Sequence, residues 1–514
     1  MSHPVTRRKF LAQSSCASVG SLGLLSTLLN LRMAGSAVGQ SLPPGGEDRA
    51  LVCLFFAGGM DSYNLLMPTS GSSVYSSYLT TRGGLYDAAT NADGLALNGL
   101  PLTAHASDPF GFGVHPKCGD HNTQPGIQSL YASGKLAFVS NVGTLVDRMT
   151  KAGYNGSAAR PRGLYSHADQ VRQWHTSVAT QTGALGWAGT AADLLHAGNS
   201  GAKVSMNISL GGNNVWQTGN KLFAYSIGTS GSTPLNEYNS PYENPVLPTN
   251  TTNTRSALRT AAIDNMVQQE HQNLLDQTFT QNLKDSIEAS AAFRDAFVEN
   301  SINTLFPGDP GYLPPAPFTA PTLNGTTISR GNDPAVNLGQ QFKAVVRSIK
   351  SRQTLGLKRQ TFFLNYGSWD HHDEVINTMD RMVDVVNRCL VAYWKALEEI
   401  DMQNQVTLYT ASDFARTLTS NGAGSDHAWG GNMFVLGGAV NGGRVYGTYP
   451  DLLLTAPSVV TSRGATLPGL SVDEYFAELA LWLGVSASDL PSVLPRINTF
   501  YTPGGAPPVG FMKA

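Results

Sequence analysis

The chain has 514 residues, 41% of them hydrophobic and 14% charged, enough to bury a large core in one big α/β unit with insertions or in two domains. Its 34 Lys and Arg against 36 Asp and Glu give a formal charge of −2, which argues against nucleic acid or a polybasic membrane contact. Beyond the first forty residues the cysteines are an odd set of three without a C-x-x-C pair, which argues against a disulfide framework and a thiolate zinc site.

Residues 1–39 read as an export address. Thr6, Arg7, Arg8, Lys9, Phe10 and Leu11 form a twin-arginine signature, and an apolar stretch from Leu11 to Leu31 follows without an acid. That stretch is too rich in Gly and Ser for a retained membrane helix. The expectation is a periplasmic or extracellular protein with no stable membrane span, exported already folded by the twin-arginine machinery, with any metal loaded beforehand. The leader takes Arg7, Arg8, Lys9 and Arg32 with it and no acid, which moves the formal charge from −2 to −6. Cys53, Cys118 and Cys389 remain, Cys53 as a small core residue.

Residues 40–514 predict α/β architecture. Leu51–Phe56 is a continuous apolar run, as in a central strand covered on both faces, and Ala57-Gly58-Gly59 ends it just before Asp61. Gln128–Tyr131 closes a helix and Leu136–Ser140 is a second strand. Ser166–Thr176 reads as a helix with Ser166 as N-cap and Asp169 completing a capping-box-like start. Val204–Leu210 is a third strand. From about 225 to 330 the composition shifts to Pro/Asn/Thr-rich seams around Gln/Asn-rich helices (about 256–300), a helical insertion. The alternation then resumes with a helix at Leu338–Lys350, a strand at Gln360–Asn365 and a long amphipathic helix at Met379–Asp401. Val406–Thr410 is a buried strand ending on Asp413, and a Gly/Ser/Asn loop then carries Asp426 and His427. Met433–Leu436 is a further strand with a hairpin-like return to Tyr446, and Ser471–Leu483 is a closing helix. The expected fold is a doubly wound, mainly parallel sheet with helices on both faces.

The C-terminal edges of such strands converge, and ligands bind there. Asp61, Asp370 with His371 and His372, Asp413 and His427 all fall at predicted edges. Collected acids and imidazoles suit one or two divalent ions, Zn²⁺, Mn²⁺, Ca²⁺ or Mg²⁺. The plainer alternatives are a helix-capping polar turn at 369–374, an N-capping Asp413 and a surface His427. Ser166 has the placement of a nucleophile at a helix N-terminus, which is also the placement of an ordinary N-cap serine.

The segments GGMDSYNLLMP (58–68), VHP (114–116), YSHADQVRQW (165–174), GWAG (186–189), YGSWDHH (366–372), the SDF to DHAWGG block with its continuation (412–447) and VDEYFAELALWLGVS (472–486) occur in that order. They resemble the exported domain-of-unknown-function family 1501. That family has no established reaction and is similar to the alkaline-phosphatase-like superfamily of phosphatases, sulfatases and phosphomutases. The resemblance implies that fold, with Asp61 contacting one metal beside the nucleophile Ser166, Asp413 helping to hold it, and Asp370, His372 and His427 holding a second. Where the superfamily commonly has Asp-His, Asp413 is followed by Phe414. His167 or His115 could replace the missing ligand, or one metal site is weak or empty.

Two functions follow as expectations. One is an exported metal-dependent hydrolase acting on a phosphate or sulfate ester, small-molecule or glycan, through a metal-activated Ser166 with His167 beside it. The other is a non-catalytic exported binding or envelope-assembly protein that keeps the fold. A Ser/His/Asp hydrolase is weaker, because no G-x-S-x-G surrounds Ser166.

Overall fold

The computed structural model describes residues 47–513 apart from 73, 122, 181–182, 184, 200, 233–254, 270–272, 314–321, 324–325 and 328–332. The expected leader and most of the two seams of the insertion lie outside the described residues. Ten strands form the central sheet: β1 (Arg49–Phe56), β2 (Leu136–Gly143), β3 (Asn207–Ser209), β4 (Tyr225–Gly228), β5 (Gly231–Ser232), β6 (Arg359–Tyr366), β7 (Val406–Ser412), β8 (Gly431–Gly437), β9 (Val445–Tyr446) and β10 (Leu470–Ser471). Their order is β9-β2-β8-β7-β1-β6-β3-β4-β5, with β10 also paired to β2. The pairs of β1 with β6 and β7, of β6 with β3, of β3 with β4, and of β2 with β9 and β10 are parallel. The strand β8 runs antiparallel between β7 and β2, and β5 antiparallel to β4.

Continuous apolar runs become strands closed to solvent on both sides, and β1 is buried at every position but its first. Two groups of helices cover the sheet. The first joins α1 (Ile127–Ala132), α6 (Ala335–Lys350) and α7 (Val375–Glu399). The second joins α2 (His167–Thr176), α3 (Trp187–Leu195) and α8 (Val472–Leu483), linked through the short helix Leu490–Val493. A full capping box starts α8, with Ser471 and Glu474 each satisfying the other's backbone. No helix among the described residues is long and apolar enough to cross a membrane.

Inside the insertion, α4 (Arg255–Gln268) packs on the 26-residue α5 (Leu274–Glu299), which buries Phe293, Ala296 and Phe297. The return after β8 differs from the expected hairpin: β9 lies on the far side of β2 and pairs parallel with it. A second difference is at Ser166, which caps α2 by position without a side-chain hydrogen bond. Asp169 instead lies where a Cβ on Gly163 would strike it, in the turn closed by Ser166 N–H donating to the Gly163 carbonyl. Cys53, Cys118 and Cys389 are buried and unpaired.

Candidate functional site at the sheet edge

The parallel register sets Phe56, Tyr366 and Ser412 side by side at the ends of β1, β6 and β7. The chain therefore leaves the sheet at one place three times, as Gly58-Gly59, as Trp369-Asp370 and as Asp413-Phe414. Crowding there dictates glycine. A Cβ on Gly58, at φ +119°, would lie 2.5 Å from the Asp370 nitrogen, and one on Gly59, at φ +84°, 2.4 Å from the Phe414 ring. The chain beyond β7 and before β8 continues as a ladder. Arg416 bridges His427, Ala428 N–H donates to Ala415 O at 2.8 Å, and Thr417 N–H donates to Asp426 O at 2.8 Å. That ladder brings His427 back against Phe414, the residue after Asp413. Tyr165, left-handed at φ 73°, turns the chain into α2 from the other side.

These segments assemble His167, Asp370, His372, Asp413 and His427. The Asp370 Oδ1, His372 Nε2 and His427 Nε2 atoms form a triangle with sides of 3.0 Å between the imidazoles and 3.1 and 3.3 Å to the carboxylate. The Asp370 Oδ2 atom faces His167 Nε2 at 3.5 Å, and His167 Nδ1 lies 2.7 Å from Asp413 Oδ2. Asp413 Oδ1 accepts from Gly58 N–H at 3.1 Å, so both of its oxygens serve to orient neighbours. Donor atoms of His167, Asp370 and His427 all lie within 4.8 Å of one another.

The protonation pattern follows from the partners. The Tyr165 carbonyl, 2.8 Å from His427 Nδ1, can only accept, so Nδ1 carries the proton and Nε2 offers a lone pair. Burial, with the charges of His167 and Arg416, holds His427 below its usual pKa and favours this neutral form, against the Tyr165 carbonyl and Asp370. Burial would raise Asp370, but the hydrogen bond and charge of Arg416, with His372 and His167, outweigh it and keep the carboxyl below its usual range. Burial raises Asp413 in spite of His167 and Gly58. The His427 Nε2 lone pair thus faces an ionised carboxylate oxygen at 3.3 Å, with His372 Nε2 within 3.1 Å of both and Arg416 Nη1 2.7 Å from the same Oδ1.

The donor set fits a divalent ion. A tetrahedral ion with ligands at about 2.0–2.1 Å has ligand-to-ligand edges of about 3.3–3.4 Å, close to the triangle's sides. The backbone acceptor on His427 is the outer partner that metal-ligating histidines use to fix their tautomer.

Asp61 stands elsewhere than the sequence suggests. It forms a salt bridge through Oδ2 with Arg82, the two side chains wholly excluded from solvent, and is not one of the mutually close donors. The cation reaches it from the end of the helix Tyr75–Thr81, a long-range arrival that local pattern does not show. His115 faces Asp380 at 3.3 Å, and His371 turns inward to Met382. Phe414 packs its ring against His167 and His427, at centroid distances of 4.8 and 4.5 Å. Arg416 escaped the sequence reading altogether. It donates to Asp370 Oδ1 at 2.7 Å from a buried position, and local spacing gives no sign of it, since Phe414 and Ala415 before it are buried alike.

No curated protein matches the chain. Residues 243–463, which take in α4 and run past the ladder carrying Asp413 and His427, match the family described as "Protein of unknown function (DUF1501)".

Proposed function

We propose that the protein is a metal-dependent hydrolase of phosphate or sulfate esters, of the alkaline-phosphatase-like kind, working outside the cytoplasm. The observation that carries this reading is the convergence of the His427 lone pair, the Asp370 carboxylate and His372 Nε2 on one point. Asp370, His372 and His427 would hold the ion, with His167 as a further donor. A divalent ion there would stabilise negative charge on the ester oxygens and on an attacking alkoxide. Ser166 sits between Tyr165 and His167, both tied to the cluster, and its hydroxyl is not spent on capping α2. The start of that helix, left without a side-chain cap, favours an anion beside it. Asp413 holds His167 by Nδ1 and so directs Nε2 at the site.

Metal analysis of the purified protein, followed by aryl phosphate, phosphodiester and aryl sulfate assays with Zn²⁺, Mn²⁺ and Ca²⁺, tests the reading. Bound metal with turnover is expected. The Ser166→Ala variant should abolish that turnover and leave metal content unchanged. Its stability should move by less than the roughly 0.5–2 kcal/mol of a lost cap, since no cap bond exists to lose. Full activity of Ser166→Ala removes the nucleophile.

Phe414 favours a second reading, a non-catalytic binding or envelope-assembly protein. Its ring supplies hydrocarbon to two imidazoles where another ligand was expected. One equivalent of metal with no ester turnover would select it. Either reading includes export, which changing Arg7 and Arg8 together to Lys should block; fractionation showing the double variant outside the cytoplasm would remove the twin-arginine assignment.

A further inference from the structure

The Arg416 guanidinium is shut off from solvent, yet it ends on a carboxylate that is 43% exposed. Its Nη1 donates to Asp370 Oδ1 at 2.7 Å and reaches Gly58 O at 3.5 Å, while Nε donates to Ser425 Oγ at 3.3 Å and Nη2 to the Ser425 carbonyl. This set uses the planar fork of arginine, which a lysine cannot reproduce. The fork itself is fixed in place. Arg416 lies in the ladder opposite His427, and the next residue, Thr417, offers its carbonyl to Arg82, the cation paired with Asp61. Asp370, by contrast, stands on a loop that enters through Ser368 at φ 73°. An exposed aspartate on such a loop has several rotamers open to it, and only an arrangement like the one seen aims Oδ1 at both imidazoles.

Resting on the ion-binding reading above, we propose that Arg416 is a positioning residue of the site, fixing the Asp370 carboxylate so that Oδ1 completes the triangle with His372 and His427 while Oδ2 faces His167. A carboxylate oxygen has two lone pairs, so accepting from Arg416 leaves one for an ion. The buried Arg82–Asp61 pair then acts at one remove, by holding the strand that carries the fork.

The test uses Zn²⁺ alone as probe, with affinity measured by chelator competition on the full chain. Arg416→Lys and Arg416→Gln should each weaken zinc binding about 10–100-fold, the usual loss when an outer partner of a ligand is removed, and lysine should give no rescue. In an Asp370→Ala background, Arg416→Gln should change the affinity by no more than about twofold, because the effect runs through Asp370. Wild-type affinity in Arg416→Lys overturns the proposal, as does an equal loss in the Asp370→Ala background, which would mark a merely structural arginine. Should these variants fail to fold, a crystal structure of the zinc-loaded wild type decides. Arg416 Nη1 still hydrogen-bonded to Asp370 supports the role, and Arg416 turned away from it overturns the role. A wild type that takes up no zinc, Mn²⁺ or Ca²⁺ overturns the ion-binding reading and this proposal with it, whereas the variant results bear on Arg416 alone.

Discussion

His427→Ala should weaken divalent-ion binding by at least about 100-fold, more than the loss expected from any outer partner. It removes a donor of the triangle whose tautomer the fold fixes, since Tyr165 O occupies Nδ1 and leaves Nε2 for the ion. Folding should suffer little. The side chain is 24% exposed, and its bond to the Tyr165 carbonyl is worth about 0.5–1.5 kcal/mol. Chelator competition and a urea melt on the same preparations separate the two quantities. An ion affinity equal to wild type would show that the triangle is not the binding site.

Arg82→Met should cost about 3–5 kcal/mol of stability, because it strands the Asp61 carboxylate in a wholly buried place. Asp61 Oδ1 already lacks a hydrogen-bond partner, so losing Arg82 takes away the direct partner of the other oxygen as well. The double variant Arg82→Met with Asp61→Leu should recover most of the loss, since removing both charges also removes their desolvation cost. Urea unfolding midpoints of the two variants measure this. If Arg82→Met costs less than about 1 kcal/mol, the pair is not what holds this part of the edge.

The features legible in the sequence were those written locally. Unbroken apolar runs marked β1, β6 and β7, and the polar residues just beyond them marked where Asp370, His372 and Asp413 would meet. The glycine-rich loop that returns as Met433–Leu436 announced His427 at the same edge, and the structure extends that strand to Gly431–Gly437. What stayed hidden depends on arrivals from far along the chain. Asp61 also follows a strand, but no local pattern tells that Arg82 will reach back and pair with it. Arg416 looks like a surface residue in a polar stretch, and only its partners at Gly58, Asp370 and Ser425 make it a buried fork. Ser166 has the composition of a capped start, yet the turn through Tyr165 leaves its hydroxyl free of the cap.

The spacing of the site's parts along the chain bears on when it can exist. Gly58 bonds to Asp413 across 355 residues, His167 to Asp413 across 246, and His427 to Tyr165 across 262. Contacts of such separation are paid for late in folding, after the loops they close have lost their freedom. A nascent chain has no such site until His427 has left the ribosome and β8 has inserted between β7 and β2. Ion uptake would therefore serve as a report of completed folding, made only by chains whose central sheet is whole.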